Sequence, residues 1–228
     1  MSLILSIETA TTVCSVALTD GQQIVARKKL YTDKSHANQL TLLVTEMMKE
    51  AGLVLADLKA VAISEGPGSY TGLRIGISTA KGLCYALNIP LIGISTLKAM
   101  AHEVNATMNE AGGLLCPMID ARRMEVYTAL YSPEMTEVMA PHPKILDESS
   151  FEETLKESGV LFFGNGAPKF SEVLQNENAR FVEEISPSAW AIGQLAAERF
   201  ANQQFEDLAY FEPSYLKEFQ ATTPKSLL

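Results

Sequence analysis

Apolar positions in the first half of the chain recur with two different periods, one typical of strands and one typical of helices. Segments 3–8 and 13–19 are short, apolar and β-branched, and a threonine-rich turn separates them, which predicts two strands. Asp20-Gly21 is a hairpin signal that leads to a third strand at 22–30. The pattern then alternates between helix and strand, and we place these elements at 36–51, 59–64, 69–87, 90–94 and 96–106.

The second half repeats this order more loosely. It predicts strands at 114–119, 124–131, 137–146, 160–163 and 180–183, and helices at 149–157, 167–175 and 188–203. Because one order of strands and helices is used twice, we expect an α/β protein with duplicated lobes, each a mixed sheet flanked by helices.

The expected domain boundaries follow from this repeat. We place a first lobe at 1–106 and a second, more degenerate lobe at 107–203, with its last helix, 188–203, as a candidate to pack back on the first lobe. Residues 204–228, which contain Pro213 and Pro224, are predicted to be a weakly structured tail.

The helix predicted at 69–87 follows a Gly-Pro-Gly turn and contains three glycines, Gly72, Gly76 and Gly82. Together they cost roughly 2–3 kcal/mol of helix stability relative to alanine. Such a cost persists where the backbone must remain bare. A groove of small residues recurs at every fourth position (Gly72, Gly76, Ala80 and Cys84), and the other side is apolar (Leu73, Ile77 and Leu83). This predicts a helix buried against its own core and against a second helix.

The helix at 36–51 has a wider apolar face than a single core contact requires. Leu40, Leu43 and Met47 recur at helical spacing, with Val44 and Met48 beside them. We predict a two-helix platform for a partner protein or a second copy, consisting of His36, Leu40, Leu43, Met47, Gly72, Gly76, Ala80 and Leu83. The alternative is a helix pair that packs only within its own lobe.

Composition narrows the possible partners and the compartment. The chain has 18 basic and 27 acidic side chains, a formal net charge of −9, which disfavours a stand-alone nucleic-acid-binding module. The three cysteines are far apart in apolar surroundings, which predicts reduced core residues in a cytoplasmic protein. No apolar run approaches the ~20 residues of a membrane span, and no basic segment precedes a signal core.

Four segments carry a family resemblance. Ile7–Thr11, 66–76, 80–93 and Asp120–Tyr127 together resemble the TsaB family, and the similarity covers most of the first 130 residues. This resemblance implies an actin/hexokinase-like, ribonuclease H-like fold. It also implies an accessory, non-catalytic role in making threonylcarbamoyl-adenosine in tRNA. The implied partners are a TsaD-like catalytic paralogue and a TsaE-like ATPase, with tRNA contacted mainly through them. The platform would form a homodimer when the paralogue is absent.

The first turn lies where actin-like phosphotransferases bind phosphate, but its residues depart from their Asp-x-Gly pattern. Glu8 stands for the aspartate and Ala10 for the glycine, with Thr9 and Thr11 beside them. Glutamate is longer and alanine blocks a close backbone approach, so the turn is a candidate vestigial phosphate site.

Two further loops are candidate vestigial anion or nucleotide sites. Gly66, Gly68 and Ser69 precede a helix N-terminus, where free amides can hold an anion. Gly164 and Gly166 lie between a strand and a helix, where this fold class receives an adenosine. For both loops, we favour tight turn geometry over ligand binding.

The densest polar cluster is formed by Asp120, Arg122, Arg123 and Glu125 at the hairpin that opens the second lobe. We favour a turn in which Asp120 bridges back to an arginine. The alternative is a polar contact to a nucleotide or partner between the lobes.

No metal site and no cofactor are expected. By resemblance, the metal-binding histidine pair of the TsaD-like relatives falls at Thr96 and Met100, and neither residue fits. The three histidines are far apart in the sequence. The rival hypotheses of a stand-alone actin-fold phosphotransferase and a metallopeptidase are therefore disfavoured.

Overall fold

The computed structural model describes residues 2–31, 36–108 and 113–217. The first half contains β1 (Leu3–Glu8), β2 (Val13–Asp20), β3 (Gln23–Tyr31), α1 (Leu40–Glu50), β4 (Ala60–Gly66), α2 (Tyr70–Leu87), β5 (Leu91–Ser95) and α3 (Thr96–Thr107). The second half contains β6 (Leu114–Asp120), β7 (Glu125–Tyr131), β8 (Glu137–Ile145), α4 (Glu152–Glu157), β9 (Val160–Phe163), α5 (Ala167–Ser171), β10 (Ala179–Val182) and α6 (Ala189–Ala201). Among these helices, none is long and apolar enough to cross a membrane.

The two sheets have the same topology. The first has the strand order β3-β2-β1-β4-β5, and the second, taken from the matching edge, has β8-β7-β6-β9-β10. In each sheet the first strand pairs antiparallel with the hairpin strand beside it and parallel with the strand that follows the first crossover. The repeat confirms the predicted duplication of mixed-sheet lobes.

Several predicted boundaries differ from the observed ones for local reasons. Residues 36–38 form a separate 3-10 turn, so α1 begins at Leu40, and the 32–35 segment before it lies outside the described residues. The predicted helix at 149–157 begins at Glu152, because Phe151 adopts a left-handed φ of 64°. Similarly, α5 ends at Ser171 and does not continue to 175.

Serine side chains cap the N-termini of α2, α3 and α6. Ser69 Oγ accepts a hydrogen bond from the Gly72 N–H at 3.2 Å, and Ser188 Oγ accepts one from Ala191 at 3.4 Å. Each bond satisfies one of the amides that a helix leaves unpaired in its first turn.

The helices form layers on both faces of the two sheets. On the outer face of the first sheet, α1 and α2 bury Leu5 and Ile7 of β1 together with their own apolar residues. On the outer face of the second sheet, α4 and α5 cover a cluster that includes Phe162 and Phe170. Burial of these apolar faces supplies the main stabilisation of each lobe.

Between the sheets, the two lobes exchange helices. Helix α3, which follows the first sheet in sequence, packs on the second sheet, where Leu97, Met100 and Val104 join its core. Helix α6, which follows the second sheet, packs on β1, β2, β4 and β5 through small residues, including Ala191 and Ala196. Neither lobe therefore completes its core with its own consecutive residues.

Residues 204–217 contain no helix or strand, but they lie against the first lobe. The Glu206 N–H donates to the Leu91 carbonyl at 2.9 Å, and the Ser214 N–H donates to the Glu65 carbonyl at 2.7 Å. The segment thus has no regular secondary structure, but hydrogen bonds hold it against the first lobe. Residues 218–228 lie outside the described part.

The close packing of α6 gives a testable expectation. A Cβ atom at Gly193 would lie 2.7 Å from Thr19 Cγ2 and 2.8 Å from Ser6 Oγ, so Gly193→Ala should lower the free energy of unfolding by about 1–3 kcal/mol. At Gly82, on the opposite side of the first lobe, nothing lies within 4 Å of the same atom. Gly82→Ala is the matched control and should stabilise the protein by up to about 1 kcal/mol. Urea unfolding monitored by circular dichroism measures both; equal stability of the two variants would contradict the packing described here.

Candidate functional site

The turn between β1 and β2 lies directly on the N-terminal half of α2. Thr9 Oγ1 donates a hydrogen bond to the Gly72 carbonyl at 2.8 Å. A Cβ atom at Gly72 would collide with the Thr9 carbonyl, and one at Gly76 would collide with Thr9 Oγ1. These two glycines are therefore required by the approach of the chain's own turn, not by a second helix.

This finding corrects the predicted partner platform. Five of its eight residues are buried inside the first lobe and cannot form an outer surface: Leu40, Met47, Gly72, Gly76 and Ala80. Leu43 and Leu83 pack at the margin of the same core, and the side chain of His36 lies outside the described part. The prediction failed because helical periodicity identifies a buried face without showing what buries it.

The opposite side of α2 is open. Exposed or half-buried positions on this side include Ile75, Ser78, Thr79, Gly82, Tyr85 and Ala86, which at 100° per residue cover about a third of the helix circumference. We call these residues the outer face of α2. Tyr85 of this face is 84% exposed. On α1, Leu42 is 55% exposed. The sequence shows Gly82 as a third costly glycine, but only the structure shows that its surroundings are open.

The candidate anion loop before α2 is occupied by the chain itself. The Ser69 N–H donates to the Ala10 carbonyl at 2.6 Å, and the Gly72 N–H is taken by Ser69 Oγ. A Cβ atom at Gly68 would lie 2.6 Å from the Ala10 Cβ, so the turn and the loop are in van der Waals contact. Gly66 is contacted by the C-terminal segment, because a Cβ atom placed there would lie 2.9 Å from the Ser214 carbonyl oxygen. These contacts support tight turn geometry.

Glu8 is fully buried at the end of β1. One of its carboxylate oxygens accepts a hydrogen bond from the N–H of Ala10, while Oε2 has no hydrogen-bond partner among the described residues. Burial disfavours the charged form and raises the pKa of Glu8 to about 7. The turn is closed further by Thr11, whose Oγ1 accepts from the Val13 N–H at 3.3 Å. The carboxyl group of Glu8 thus takes up the Ala10 amide of the turn.

In the second lobe, Asp120 pairs with a lysine from another element. Lys169 of α5 donates to Asp120 Oδ1 and also to the carbonyl oxygens of Arg123 and Glu125. The prediction that Asp120 bridges to an arginine is therefore wrong: Arg122 reaches Asp120 only through its backbone N–H, at 3.1 Å. Arg122 and Arg123 have φ values of 67° and 50°, so they form the turn before β7 and lie outside the strand.

The loop that contains Gly164 and Gly166 is tied to this same turn. The Gly166 N–H donates to the Met118 carbonyl at 3.0 Å, and Asn165 Oδ1 accepts from the Asp120 N–H at 2.9 Å. A Cβ atom at Gly166 would lie 2.7 Å from Val126 Cγ1. As in the first lobe, the candidate nucleotide loop is in contact with the hairpin turn beside it.

Comparisons with known proteins identify the family to which the chain belongs. A family model described as TsaD, tRNA N6-adenosine threonylcarbamoyltransferase, matches residues 30–225. The Escherichia coli K12 protein named tRNA threonylcarbamoyladenosine biosynthesis protein TsaB is 32% identical over 224 residues, which cover 94% of each chain. The chain belongs to the TsaB family. The Bacillus subtilis 168 protein of the same name is 31% identical over 177 residues, covering 76% of this chain and 75% of its own.

Solved structures confirm the expected fold of this TsaB-family chain. A Pseudomonas aeruginosa protein described as uncharacterized, with similarity to peptidase YEAZ, has a TM-score of 0.84 at 26% identity, covering 95% of this chain and 100% of its own. The activator of 2-hydroxyisocaproyl-CoA dehydratase from Clostridium difficile, solved with ADPNP, has a TM-score of 0.53 at 9% identity, covering 90% and 98%. This second likeness shows the shared actin/hexokinase-like architecture alone.

The described part of this TsaB-family chain places no three His, Cys, Asp or Glu side chains where they could hold a metal ion. Thr96 and Met100, which by resemblance stand where the catalytic relatives carry histidines, are both fully buried at the start of α3. They pack in the interior of the protein and do not line an open site.

The buried Glu8 predicts a pH-dependent stability. Its folded-state pKa of about 7 lies above the ordinary value of 4.5, so between those values the folded state binds a proton that the unfolded state has released. Stability should fall as pH rises from about 4.5 to 7, by roughly 3 kcal/mol, and level off above. Glu8→Gln keeps an acceptor for the Ala10 N–H and should remove this component.

Unfolding free energies of both proteins at pH 5, 6, 7 and 8 give the measurement. Glu65 and Glu103 also have pKa values raised by burial, so the difference between wild type and variant isolates Glu8. A difference that does not change with pH would contradict the assignment.

Proposed function

We propose that this chain is a non-catalytic scaffold subunit of the complex that adds threonylcarbamoyl to the adenosine next to the anticodon of tRNAs. It acts by binding a TsaD-like catalytic paralogue, with a TsaE-like ATPase as a further partner. The names of the relatives from E. coli and B. subtilis support the pathway, and the match to the TsaD family model supports a paralogous partner of the same architecture.

The observation that carries the non-catalytic role is the closed phosphate turn. In an actin-like phosphotransferase, backbone amides at this turn must be free to face a phosphate. Here Glu8 accepts from the Ala10 amide, and the Ser69 amide donates to the Ala10 carbonyl. A phosphate at this position would meet a buried carboxyl group and the Ala10 side chain, which argues against the phosphotransferase alternative.

The outer face of α2 is the surface that best fits the paralogue. Small or apolar residues dominate it, and Gly82 allows a partner helix to approach the α2 backbone closely. Leu42 of α1 is also exposed. When the paralogue is absent, a second copy of the chain occupies the same face. The net charge of −9 supports tRNA contact mainly through the partners.

Reconstitution tests the scaffold role. We expect purified chain alone to transfer no threonylcarbamoyl to tRNA, and the TsaD-like and TsaE-like proteins without it to be at least tenfold less active than the three together. The measurement is nucleoside analysis of the tRNA by mass spectrometry. Transfer by this chain without the paralogue would refute the proposal.

A single substitution tests the partner face. Gly82→Arg adds a long charged side chain at a helix position with open surroundings, so the protein should fold with unchanged or higher stability. Binding should fail because the arginine would separate the two helices and its charge would be desolvated. We expect a monomer in gel filtration and at least a tenfold loss of affinity for the paralogue by isothermal titration.

The matched control is Ala201→Arg, which places the same side chain at an exposed position in the last turn of α6. It should dimerise and bind like the wild type. A Gly82→Arg variant that dimerises and binds the paralogue normally would show that this face is not the interface. Gly76→Leu is unsuitable for this purpose, because its side chain would collide with Thr9 inside the lobe.

A further inference from the structure

The segment that follows α6 crosses the first lobe and reaches the second. It begins with the pairing of Glu206 and Leu91 at the edge of β5. Phe211 then lies over Gly93, where an added Cβ atom would be 2.8 Å from the Phe211 ring. The Ser214 N–H donates to the Glu65 carbonyl beside Gly66. The segment therefore passes from the far edge of the first sheet to the loop before α2.

Its contacts with α2 come from one side of that helix. Lys81 Nζ donates to the carbonyl oxygens of Ala209 and Phe211 at 3.1 and 3.2 Å. Arg74 Nε donates to the Tyr215 hydroxyl at 3.0 Å, and the Tyr215 ring stacks on Tyr70 with 4.9 Å between centroids. At 100° per residue, the three α2 residues lie within about 40° of one another, directly beside the outer face of α2.

Two residues after Tyr215, the segment contacts the other lobe. Lys217 Nζ forms an ion pair with the carboxylate of Glu125, the first residue of β7. Glu125 also belongs to the hairpin that Lys169 holds in place. Tyr215 and Lys217 therefore join α2 of the first lobe to the β6–β7 hairpin of the second.

The contacts of Tyr215 and Lys217 open more readily than the packed parts of the fold. Leu208 and Phe211 pack against the core of the first lobe. Tyr215 and Lys217, in contrast, make their contacts at the surface, and Tyr215 is 39% exposed. Segments with few buried apolar contacts and solvent-exposed hydrogen bonds open locally without global unfolding. Release at Tyr215 and Lys217 would leave both cores intact.

We propose that residues 206–217 form a clasp that fixes the angle between the two lobes, with Tyr215 and Lys217 as its closing contacts. The lobes otherwise meet mainly through α3 and α6, whose contact includes small residues such as Ala99 and Ala196. Because the clasp lies along the edge of the outer face of α2, a protein that packs on that face meets Tyr215. The proposed clasp is formed within one chain and does not depend on the identity of that partner.

Distance measurements between the lobes test the proposal. Spin labels at Lys49→Cys on α1 and Glu153→Cys on α4 report on opposite outer layers, and the three native cysteines are buried, so they should not be labelled. We expect one narrow distance distribution for the labelled parent protein by pulsed electron paramagnetic resonance. Tyr215→Ala combined with Lys217→Ala should broaden it or shift it by several ångströms.

The control is Tyr210→Ala, which changes the same residue type in the same segment at a side chain that is 84% exposed. It should leave the distribution unchanged. An unchanged distribution in the double variant, with hydrogen exchange at Ser214 showing that the segment has been released, would overturn the clasp.

Charge reversal provides a test that does not rely on truncating side chains. Glu125→Lys and Lys217→Glu should each increase the open population, by roughly two- to fivefold given the strength of exposed ion pairs. The two changes together should restore the wild-type distribution. If the double reversal shows no rescue, Lys217 and Glu125 do not close the clasp.

Discussion

The contact between the β1–β2 turn and α2 determines how the first lobe is arranged. The Thr9 carbonyl and hydroxyl lie against Gly72 and Gly76, so α2 can take only one position over the sheet. The same approach brings Ala10 onto Gly68, and the Ala10 carbonyl accepts a hydrogen bond from the Ser69 N–H. It also leaves the far side of α2 exposed. One steric constraint therefore closes the candidate phosphate turn and determines which face of α2 stays exposed.

The second lobe closes its corresponding turn with different chemistry. There, Lys169 binds one carboxylate and two carbonyl oxygens, and Asn165 bonds the backbone of Asp120. A lysine can replace backbone packing because its ammonium group satisfies three acceptors at once. The two lobes share a topology but stabilise the equivalent loop by different means.

Much of this fold could be predicted because its signals are local. Alternation and helical periodicity gave the order of elements, and Ser69 and Ser188 cap helices where the pattern begins. The exposed face of α2 could not be predicted in the same way. Gly76 and Gly82 look alike in sequence, and only the tertiary position of Thr9 shows that one is covered and the other open. Likewise, Lys169 lies 49 residues from Asp120, and no periodic pattern marks a segment anchored by scattered side chains.

The exchange of α3 and α6 has a consequence for how the chain is synthesised. The first sheet is complete at Ser95, but the helix that covers its inner face begins only at Ala189. At ribosomal speeds, the intervening ninety or so residues take on the order of 5–20 s to appear. During that interval Ile4, Ala62 and Ile92 have no cover from α6. The nascent N-terminal half thus leaves the ribosome with the apolar sheet face that α6 covers in the folded chain still open.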